Sequence, residues 1–545
     1  RLMVAVNDSD QHFFATPSEG SWIPWLKKQI LYAPLLRVRH NREFKFSGVI
    51  NVGTLPTRFQ GFFLLCYGIL NVLFCTYMID YEGKSMLSEI RNRTGVLAVI
   101  NMVPLFILAG RNNPLIALLG ISFDTFNLIH RWLGRIVVLE SIAHTVAWMI
   151  AKVQAPPTDP RGGGWGAIEK GFTGRGSMFI FAGFISTVGM VFLMVHSFSA
   201  LRHAFYETFL VFHILGVITM LVGLWYHLLL KLPNPEIYHW FKYVIAIVAI
   251  WAAERFLRIV RLIYYNIGRQ MTTATVEALP GEATRVTIRM TRPWKFRPGQ
   301  HLYLYIPRLG LWANHPFTVA WSNEEEHIKY SSDEKLPTQR QDMLQTRTTM
   351  SLIIRAQTGF TNTLYKRAKA SKDGVFSTFA MVEGPYGKVD SLASYGTVIL
   401  VAAGVGITHP VPYVRELVQG YAKGVVATRR VLLVWVIQQP EHLEWIRPWM
   451  TEILAMEKRR DILRIMLFVT RPKSSKEIHS PSATVQMFPG RPNFDTLLNM
   501  EVENKLGHIA VQVCGNGGVS DEVRRAVRAK QEIANIDFFE EAFSW

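Results

Sequence analysis

Residues 126–150 read FNLIHRWLGRIVVLESIAHTVAWMI, and residues 209–230 read FLVFHILGVITMLVGLWYHLLL. Each apolar run holds two histidines, His130 with His144 and His213 with His227, at the same fourteen-residue spacing. At ~3.6 residues per turn and ~1.5 Å rise, that spacing returns a side chain to nearly the same face, about 21 Å along the axis. Two such helices side by side offer two pairs of imidazoles, one near each side of a bilayer. Neutral imidazole is an axial ligand of haem iron, so the pattern predicts two b-type haems held by His130, His144, His213 and His227. A lone histidine in an apolar helix is usually a hydrogen-bonded core residue. Two matched pairs are harder to explain that way, because ionisable groups in hydrocarbon are costly and mark function. His196 and His203, seven apart beside Arg202, read instead as interfacial polar residues.

Working outward, six apolar runs near the length that crosses about 30 Å of hydrocarbon fall at Phe59–Ile79, Thr94–Ala109, Phe126–Ile150, Ser177–Val195, Phe209–Leu230 and Trp240–Leu262. The fold expected is a membrane α-helical bundle over 59–264. Arg131 and Arg135 flank His130 and suit either haem propionates or an interfacial anchor. Gly134, Gly216 and Gly223 would admit a flat macrocycle or close helix packing. Val137 and Met220, each seven residues after the first histidine of a pair, face the gap between the expected haem planes. Glu140, one turn before His144, could tune the outer haem or bond a neighbouring helix.

The 545-residue chain carries a net charge of +18. The charge is spread over loops and the second half without a basic-aromatic stripe, which argues against nucleic acid and suits basic flanks at a membrane. Cys66, Cys75 and Cys514 have neither metal-site spacing nor a disulfide framework. Residues 1–58 mix Trp22, Trp25, Pro24 and Pro34 with Lys27, Lys28, Arg37, Arg39 and Arg42, as in a membrane-surface segment or a solvated linker.

From about Thr272 the pattern alternates: Val276, Val286, Ile288, Leu302, Leu304 and Ile306 read as half-buried strands, with turns at Pro280-Gly281 and Pro298-Gly299. A small antiparallel β-barrel is expected over 272–390. Over 395–545 an α/β domain is expected. The buried-strand run Thr397–Ala403 there leads into Gly404-Val405-Gly406-Ile407-Thr408 and a helical stretch from Val411 to Gln419. Strand, glycine turn and helix start form a phosphate-binding site. Further strands are expected at Val431–Ile437, Ile465–Thr470 and His508–Val513.

The joint pattern resembles the fungal ferric reductases, metal-reducing relatives of the NADPH oxidases. The resemblance rests on Asn51-Val-Gly-Thr-Leu-Pro-Thr57, Ala109-Gly-Arg-Asn-Asn-Pro114 and His130-Arg131-Trp132, and on a second half similar to the ferredoxin-reductase type of FAD and NADPH module. It implies that His315, Pro316, Phe317 and Thr318 bind the flavin, and that Arg355 with Gly359, Phe360 and Thr361 meets the FAD pyrophosphate. Glu383-Gly384-Pro385-Tyr386-Gly387 would be the junction before the nucleotide domain. Gly404, Val405, Gly406, Ile407 and Thr408 would hold the NADPH pyrophosphate, although the family's usual second glycine before Val405 is here Ala403-Gly404. Thr470 and Arg471 would take the 2′-phosphate, Cys514 and Gly515 would lie near the nicotinamide, and the terminal Trp545 would cover the flavin as a catalytic residue.

The implied activity is transmembrane electron transfer from NADPH through FAD and two haems to ferric, and also cupric, chelates. The second half is then cytosolic at a plasma membrane, the His130–His213 pair is on the inner side, and an iron permease or multicopper oxidase works downstream. An NADPH oxidase passing the electron to oxygen shares every motif. A non-enzymatic haem scaffold would be expected to have broken nucleotide loops. Asp80, Glu82, Asp159, Glu169 and Glu236 are outer carboxylates able to meet a cation, or simply solvated loop acids.

Overall fold

The computed structural model describes residues 22–37, 40–42, 44–46, 50–77, 85–156, 158, 162–204, 206–232, 234–310, 314–328, 344–472, 480 and 482–541. The chain divides into two compact units, Glu43–Leu257, and Arg1–Arg42 together with Arg258–Trp545. A short helix α1 (Ile23–Leu26), continued by a wider turn over Lys27–Leu31, precedes the hairpin β1 (Phe44–Phe46) and β2 (Ile50–Gly53).

The helices of the first unit are α2 (Arg58–Thr76), α3 (Met86–Ala109), α4 (Pro114–Leu119), α5 (Phe123–Gln154), α6 (Gly164–Phe172), α7 (Met178–His196), α8 (Ser199–Ala204), α9 (Tyr206–Leu229) and α10 (Pro235–Asn266), whose last turns from Arg258 belong to the second unit. Thr57 and Gln60 form a reciprocal capping box that starts α2, and Asn113 caps α4 ahead of Pro114. Among the described residues, five helices (α2, α3, α5, α7, α9) are long and apolar enough to cross a membrane. The sixth apolar run lies inside the 32-residue α10. It does not reach the same apolarity, because Lys242, Glu254 and Arg255 interrupt it. The expected second run also proves longer, because the polar turns from Met86 to Arg93 join it under the Ser85 cap.

Two antiparallel helix hairpins, α3 with α5 and α7 with α9, form the centre of this unit. Val137 and Met220 are buried there with Val99, Met102 and Met190. Gly223 lets α9 touch the α7 backbone: a Cβ at that position would stand 2.8 Å from Ser186 N and 2.9 Å from Ala182 O. At Gly216 a Cβ would stand 2.9 Å from the Leu193 side chain. Helix packing, the second of the two uses read from the sequence, accounts for both glycines. Many outward side chains (Phe62, Leu65, Phe74, Leu139, Val188, Val211 and Val222 among them) are exposed, a surface that bilayer lipid would cover.

In the second unit, β3 (Thr273–Leu279), β4 (Ala283–Arg289), β7 (Trp321–Ile328), β8 (Leu344–Arg355) and β9 (Val375–Phe379) form one antiparallel sheet. A second contains β5 (His301–Tyr305), β6 (Asn314–Thr318) and β10 (Met381–Tyr386). Inward Val276, Val286, Ile288, Leu302, Leu304 and Ile306 are fully buried, and helix α11 (Gly359–Lys369) closes the barrel with Phe360 and Leu364. The last turns of α10 join this barrel. Asn266 exchanges two hydrogen bonds with the Val382 backbone, at 2.7 and 2.8 Å. Arg258 reaches Glu383 through Nε (2.6 Å) and Nη2 (3.0 Å).

The six-stranded sheet that follows comprises β11 (Thr397–Ala403), β12 (Arg430–Ile437), β13 (Leu463–Val469), β14 (Val485–Pro489), β15 (Ile509–Cys514) and β16 (Asp537–Glu541). All its pairings are parallel, in the order β14-β13-β12-β11-β15-β16. Helices α12 (Pro410–Lys423), α13 (Arg447–Ala455), α14 (Arg459–Ile462), α15 (Phe494–Glu503) and α16 (Gly517–Ala534) accompany it. Two separate clusters, one on each face, bury Leu400, Leu433 and Val414 on one side and Ile399, Val511 and Val527 on the other. That is why these strands read as continuous apolar runs.

Candidate haem and nucleotide sites

The four histidines divide between the two hairpins, His130 and His144 on α5 and His213 and His227 on α9. Three have Nδ1 on a backbone carbonyl: His130 on Leu105 O at 3.0 Å, His144 on Arg91 O at 2.7 Å and His227 on Phe179 O at 2.8 Å. A carbonyl can only accept, so Nδ1 carries the proton and Nε2 keeps its lone pair. This is the tautomer and orientation that ligand histidines have when an outer acceptor fixes the ring. His213 Nδ1 lies 3.4 Å from Ser197 Oγ. The rings of His144 and His227 have centroids 6.2 Å apart and planes at 87°. Two metal–nitrogen bonds of about 2 Å plus about 1.1 Å from each nitrogen to its ring centre sum to about 6.2 Å, so the spacing suits one iron between the rings. His213 is within electrostatic reach of His130.

Two glycines that the sequence did not single out make room for these rings. A Cβ on Gly95 would lie 2.7 Å from His144 Nδ1, and one on Gly183 would lie 2.6 Å from His227 Nδ1. Gly95 is four residues beyond Arg91, and Gly183 is four beyond Phe179. The two hairpins therefore repeat one device, a helix carbonyl that orients the ring and a glycine one turn later that admits it. Gly134, by contrast, meets only the Leu105 side chain, at 3.7 Å. Arg131 is within electrostatic reach of Arg135 and of Arg202, and Arg135 lies over the Trp132 ring at 4.4 Å. Arg202, which the sequence places at an interface beside His203, is buried.

Glu140 is buried and accepts both contacts from Asn101 Nδ2, each at 3.0 Å. Asn101 Nδ2 also reaches Asn71 Oδ1 at 2.7 Å, and Tyr67 donates to Asn101. Of the two uses read for Glu140, it makes the bond to a neighbouring helix. His196 sits between Phe192 and Phe209 and bonds the Phe209 carbonyl at 3.3 Å. The Glu169 backbone carbonyl accepts from Thr173 at 2.8 Å. Asp80, Glu82, Asp159 and the Glu236 and His203 side chains lie outside the described residues.

In the barrel, the expected flavin residues gather. His315, Pro316 and Phe317 are half-buried on β6, paired with β5 across Leu302↔Phe317, and Thr318 is buried. His315 stacks on Phe360 at 5.0 Å, so Phe360 supports the wall from the core. Arg355 ends β8, and Gly359 (φ +57°) opens α11, where Thr361 Oγ1 accepts from Gln357 N at 3.1 Å. Arg355 precedes the N-terminus of α11 by four residues, a sequence of donors that suits an anion.

The nucleotide residues lie at the C-terminal ends of adjacent parallel strands, where open α/β sheets bind ligands. Gly404 adopts φ +55°, and a Cβ there would meet nothing within 4 Å, an open cradle beside the backbone. Gly406 and Gly515 are needed for closeness: their Cβ atoms would stand 2.3 Å from Cys514 O and 2.7 Å from Ala403 Cβ. These contacts bring the Gly404–Thr408 turn against the Cys514-Gly515 loop. Thr408 Oγ1 bonds Val405 O at 3.0 Å, and Trp435 Nε1 bonds Gly404 O at 2.9 Å, which fix the turn. Thr470 N and Arg471 N bond Ile437 O and Gln438 O at 2.8 and 2.9 Å, leaving the Arg471 side chain exposed. Cys514 is buried and its thiol is pushed up by burial, then by the charges of Glu541 and Glu540, which disfavours the reactive thiolate. Trp545 lies outside the described residues.

The barrel and the sheet are held against each other by stacked Trp321 and Trp449 (5.7 Å, 7°), by Trp445 Nε1 on Pro280 O (2.7 Å) and by Arg415 Nη1 on Ser322 O (2.7 Å). One helical unit with paired imidazoles, one barrel and one nucleotide sheet define a membrane-bound NAD(P)H-dependent oxidoreductase. Comparisons with known proteins agree. Residues 94–224 match the ferric reductase-like transmembrane component, 269–336 an FAD-binding domain, and 395–482 with 473–528 the ferric reductase NAD-binding domain. "Ferric reductase transmembrane component 3" of Saccharomyces cerevisiae is 26% identical over 95% of this chain and 71% of its own length. "Ferric/cupric reductase transmembrane component 2" of the same yeast is 23% identical over 94% and 71%. "Probable cell surface ferric reductase kap2" of Aspergillus oryzae is 27% identical over 65% and 44%. Over most of its length the chain is therefore similar to ferric reductase transmembrane components, with a ferric reductase-like transmembrane region followed by FAD- and NAD-binding domains.

Proposed function

We propose that this protein moves electrons from cytosolic NADPH across a plasma membrane to ferric chelates outside, with cupric chelates as a second acceptor. The pairing of imidazoles on one chain with a nucleotide cradle carries the reading: Nδ1 of His130, His144 and His227 meets a carbonyl acceptor, and the His144 and His227 rings lie 6.2 Å apart. The cofactors supply the redox chemistry, FAD taking a hydride and two haems carrying single electrons.

What the protein adds is placement. His130 with His213 and His144 with His227 would hold the two haems. The guanidiniums of Arg131, Arg135 and Arg202 suit propionates. Gly404–Thr408 would receive a pyrophosphate, and the exposed Arg471 beside Thr470 would select a 2′-phosphate, favouring NADPH over NADH. Arg355 and the amides opening α11 would receive the FAD pyrophosphate, with His315–Thr318 along the isoalloxazine and Trp545 covering it. An iron permease or a multicopper oxidase would act downstream on the ferrous product.

The test is His144→Ala in the full chain. The variant should keep NADPH-driven flavin reduction, lose the spectrum of one haem and lose ferric-chelate reduction. Ferric reduction at the wild-type rate in that variant contradicts the relay. Retained haem reduction with superoxide formed in place of Fe²⁺ in the wild type would assign an oxidase instead.

A further inference from the structure

Residues 22–37 and 40–42, part of the stretch 1–58 read from sequence as a membrane-surface segment or a linker, are bound to the nucleotide sheet along α16 and β16. Lys27 Nζ bridges Asn535 Oδ1 (2.8 Å) and Asp537 Oδ1 (2.5 Å), and Lys28 pairs with Glu532 at 2.8 Å. Arg528 Nε donates to Lys28 O at 2.8 Å, and Arg524 Nη1 to Tyr32 O at 3.3 Å. The Tyr32 hydroxyl accepts from Phe538 N at 3.3 Å, on the free side of the edge strand β16, and its ring meets Phe538 edge-on at 5.7 Å. Further along, the Asp521 carboxylate accepts three consecutive backbone N–H groups, from His40, Asn41 and Arg42, at 3.1, 3.0 and 3.0 Å. The segment crosses the first turn of α16 so closely that a Cβ on Gly517 would stand 2.3 Å from Asn41 O.

Both elements gripped in this way lead to the nicotinamide end of the site. α16 begins two residues after Gly515, and β16 pairs with β15 up to Cys514↔Glu541. From Glu541 the sequence runs directly into Phe543-Ser544-Trp545. Asp537, the residue held by Lys27, is also bonded by Tyr395 OH at 2.9 Å and lies 3.4 Å from His508 Nε2. It is therefore a junction of the segment, the barrel-side loop and β16. A surface tail would not need a carboxylate aimed at three amides of a chain segment about 480 positions away in sequence, nor a glycine beneath it.

We propose that residues 22–37 and 40–42 form a strap that sets hydride-transfer geometry, with Lys27 and Asp521 as positioning residues that hold β16 and the start of α16 in register with the Gly404–Thr408 turn. The inference rests on the NADPH-to-FAD reading above. A displacement of about 1 Å between reacting atoms can cost on the order of 100-fold in rate, so a slack strap should slow the transfer step far more than it weakens nucleotide binding.

The experiment uses the full chain in detergent with FAD and haem loaded, comparing wild type, Lys27→Ala, Lys27→Arg and Gly517→Ala. Three quantities are read: the limiting rate of NADPH-driven flavin reduction, the affinity for NADP⁺, and amide hydrogen exchange over 537–541. Lys27→Ala and Gly517→Ala should lower the limiting rate about 10-fold or more, leave NADP⁺ affinity nearly unchanged and speed exchange, with Lys27→Arg close to wild type. Faster exchange with an unchanged limiting rate overturns the inference, since the strap is then only structural. Unchanged exchange and rate overturn it as well, since nothing is then being held. A wild-type chain whose flavin NADPH does not reduce defeats the functional reading first, and this inference with it.

Discussion

Gly183→Ala and Gly95→Ala test the histidine geometry from two sides of one pair. The added Cβ would stand 2.6 Å from His227 Nδ1 in the first and 2.7 Å from His144 Nδ1 in the second. Ordinary contact begins near 3.4 Å, so each ring must retreat by about 0.7–0.8 Å. That displacement lengthens the bonds to Phe179 O and Arg91 O, now 2.8 and 2.7 Å. The fold itself should survive. Overpacking costs about 1–3 kcal/mol, and alanine in place of glycine inside a helix returns about 1 kcal/mol. Haem retention should not survive equally, because losing the outer partner of a ligand histidine typically costs about 10- to 100-fold in affinity. The assay is haem content per FAD in purified protein, with Gly68→Ala as control, since a Cβ there meets nothing within 4 Å. Both variants should lose the same haem, fall toward half the wild-type content and fail to reduce ferric chelate. The double variant should be little worse than either single one, because the two sites act on one ligand pair. Full haem content with a wild-type spectrum in both variants would refute the reasoning.

Four further outcomes are expected. Gly406→Ala places a Cβ 2.3 Å from Cys514 O and should raise the KM for NADPH steeply without altering haem content; unchanged kinetics would contradict the closeness argument. Glu383→Gln leaves Arg258, Tyr305 and Tyr386, all now bonded to that buried carboxylate, without its charge. It should cost up to about 3–5 kcal/mol, read as a fall in Tm of the flavin-binding unit. Arg471→Ala should weaken NADPH by roughly 10- to 100-fold, as the loss of a charged hydrogen bond does, while leaving NADH unchanged; an equal loss for both cofactors would remove the 2′-phosphate role. His409, buried at the start of α12, is driven down to about 4 by burial. Its neutral form is therefore the folded form: the stability is whole above about pH 6.5 and falls as pH drops toward 4, by up to about 3 kcal/mol. His409→Phe should flatten that limb in a urea series measured from pH 7 to 4.5.

Much of the architecture was legible because burial leaves a period in sequence. β11 occupies Thr397–Ala403, the run read as a buried strand, since a parallel strand covered on both faces is apolar at every position. The barrel strands alternated because one face of each is packed inside. The approach of His144 to His227 was anticipated by the spacing. The partners of those histidines were not. Leu105, Arg91 and Phe179 act through backbone carbonyls, which carry no residue signature. Gly95 and Gly183 look like any small residue in an apolar helix until the facing helix is in place. The strap was invisible for the same reason, since Asp521 and Lys27 become informative only when β16 and α16 bring them to residues about 500 positions away in sequence. α10 carries charge at Lys242, Glu254 and Arg255, and composition alone could not say how much of it is apolar enough to span.

The most direct test of the electron path is an anaerobic titration of the purified full-length protein with FAD and haem bound. NADPH is added first and the haem absorbance followed, and a ferric chelate is added second. Reduction of both haems by NADPH, then their reoxidation by the chelate with stoichiometric Fe²⁺, is the predicted result. Haem that stays oxidised while the flavin is reduced would contradict the account.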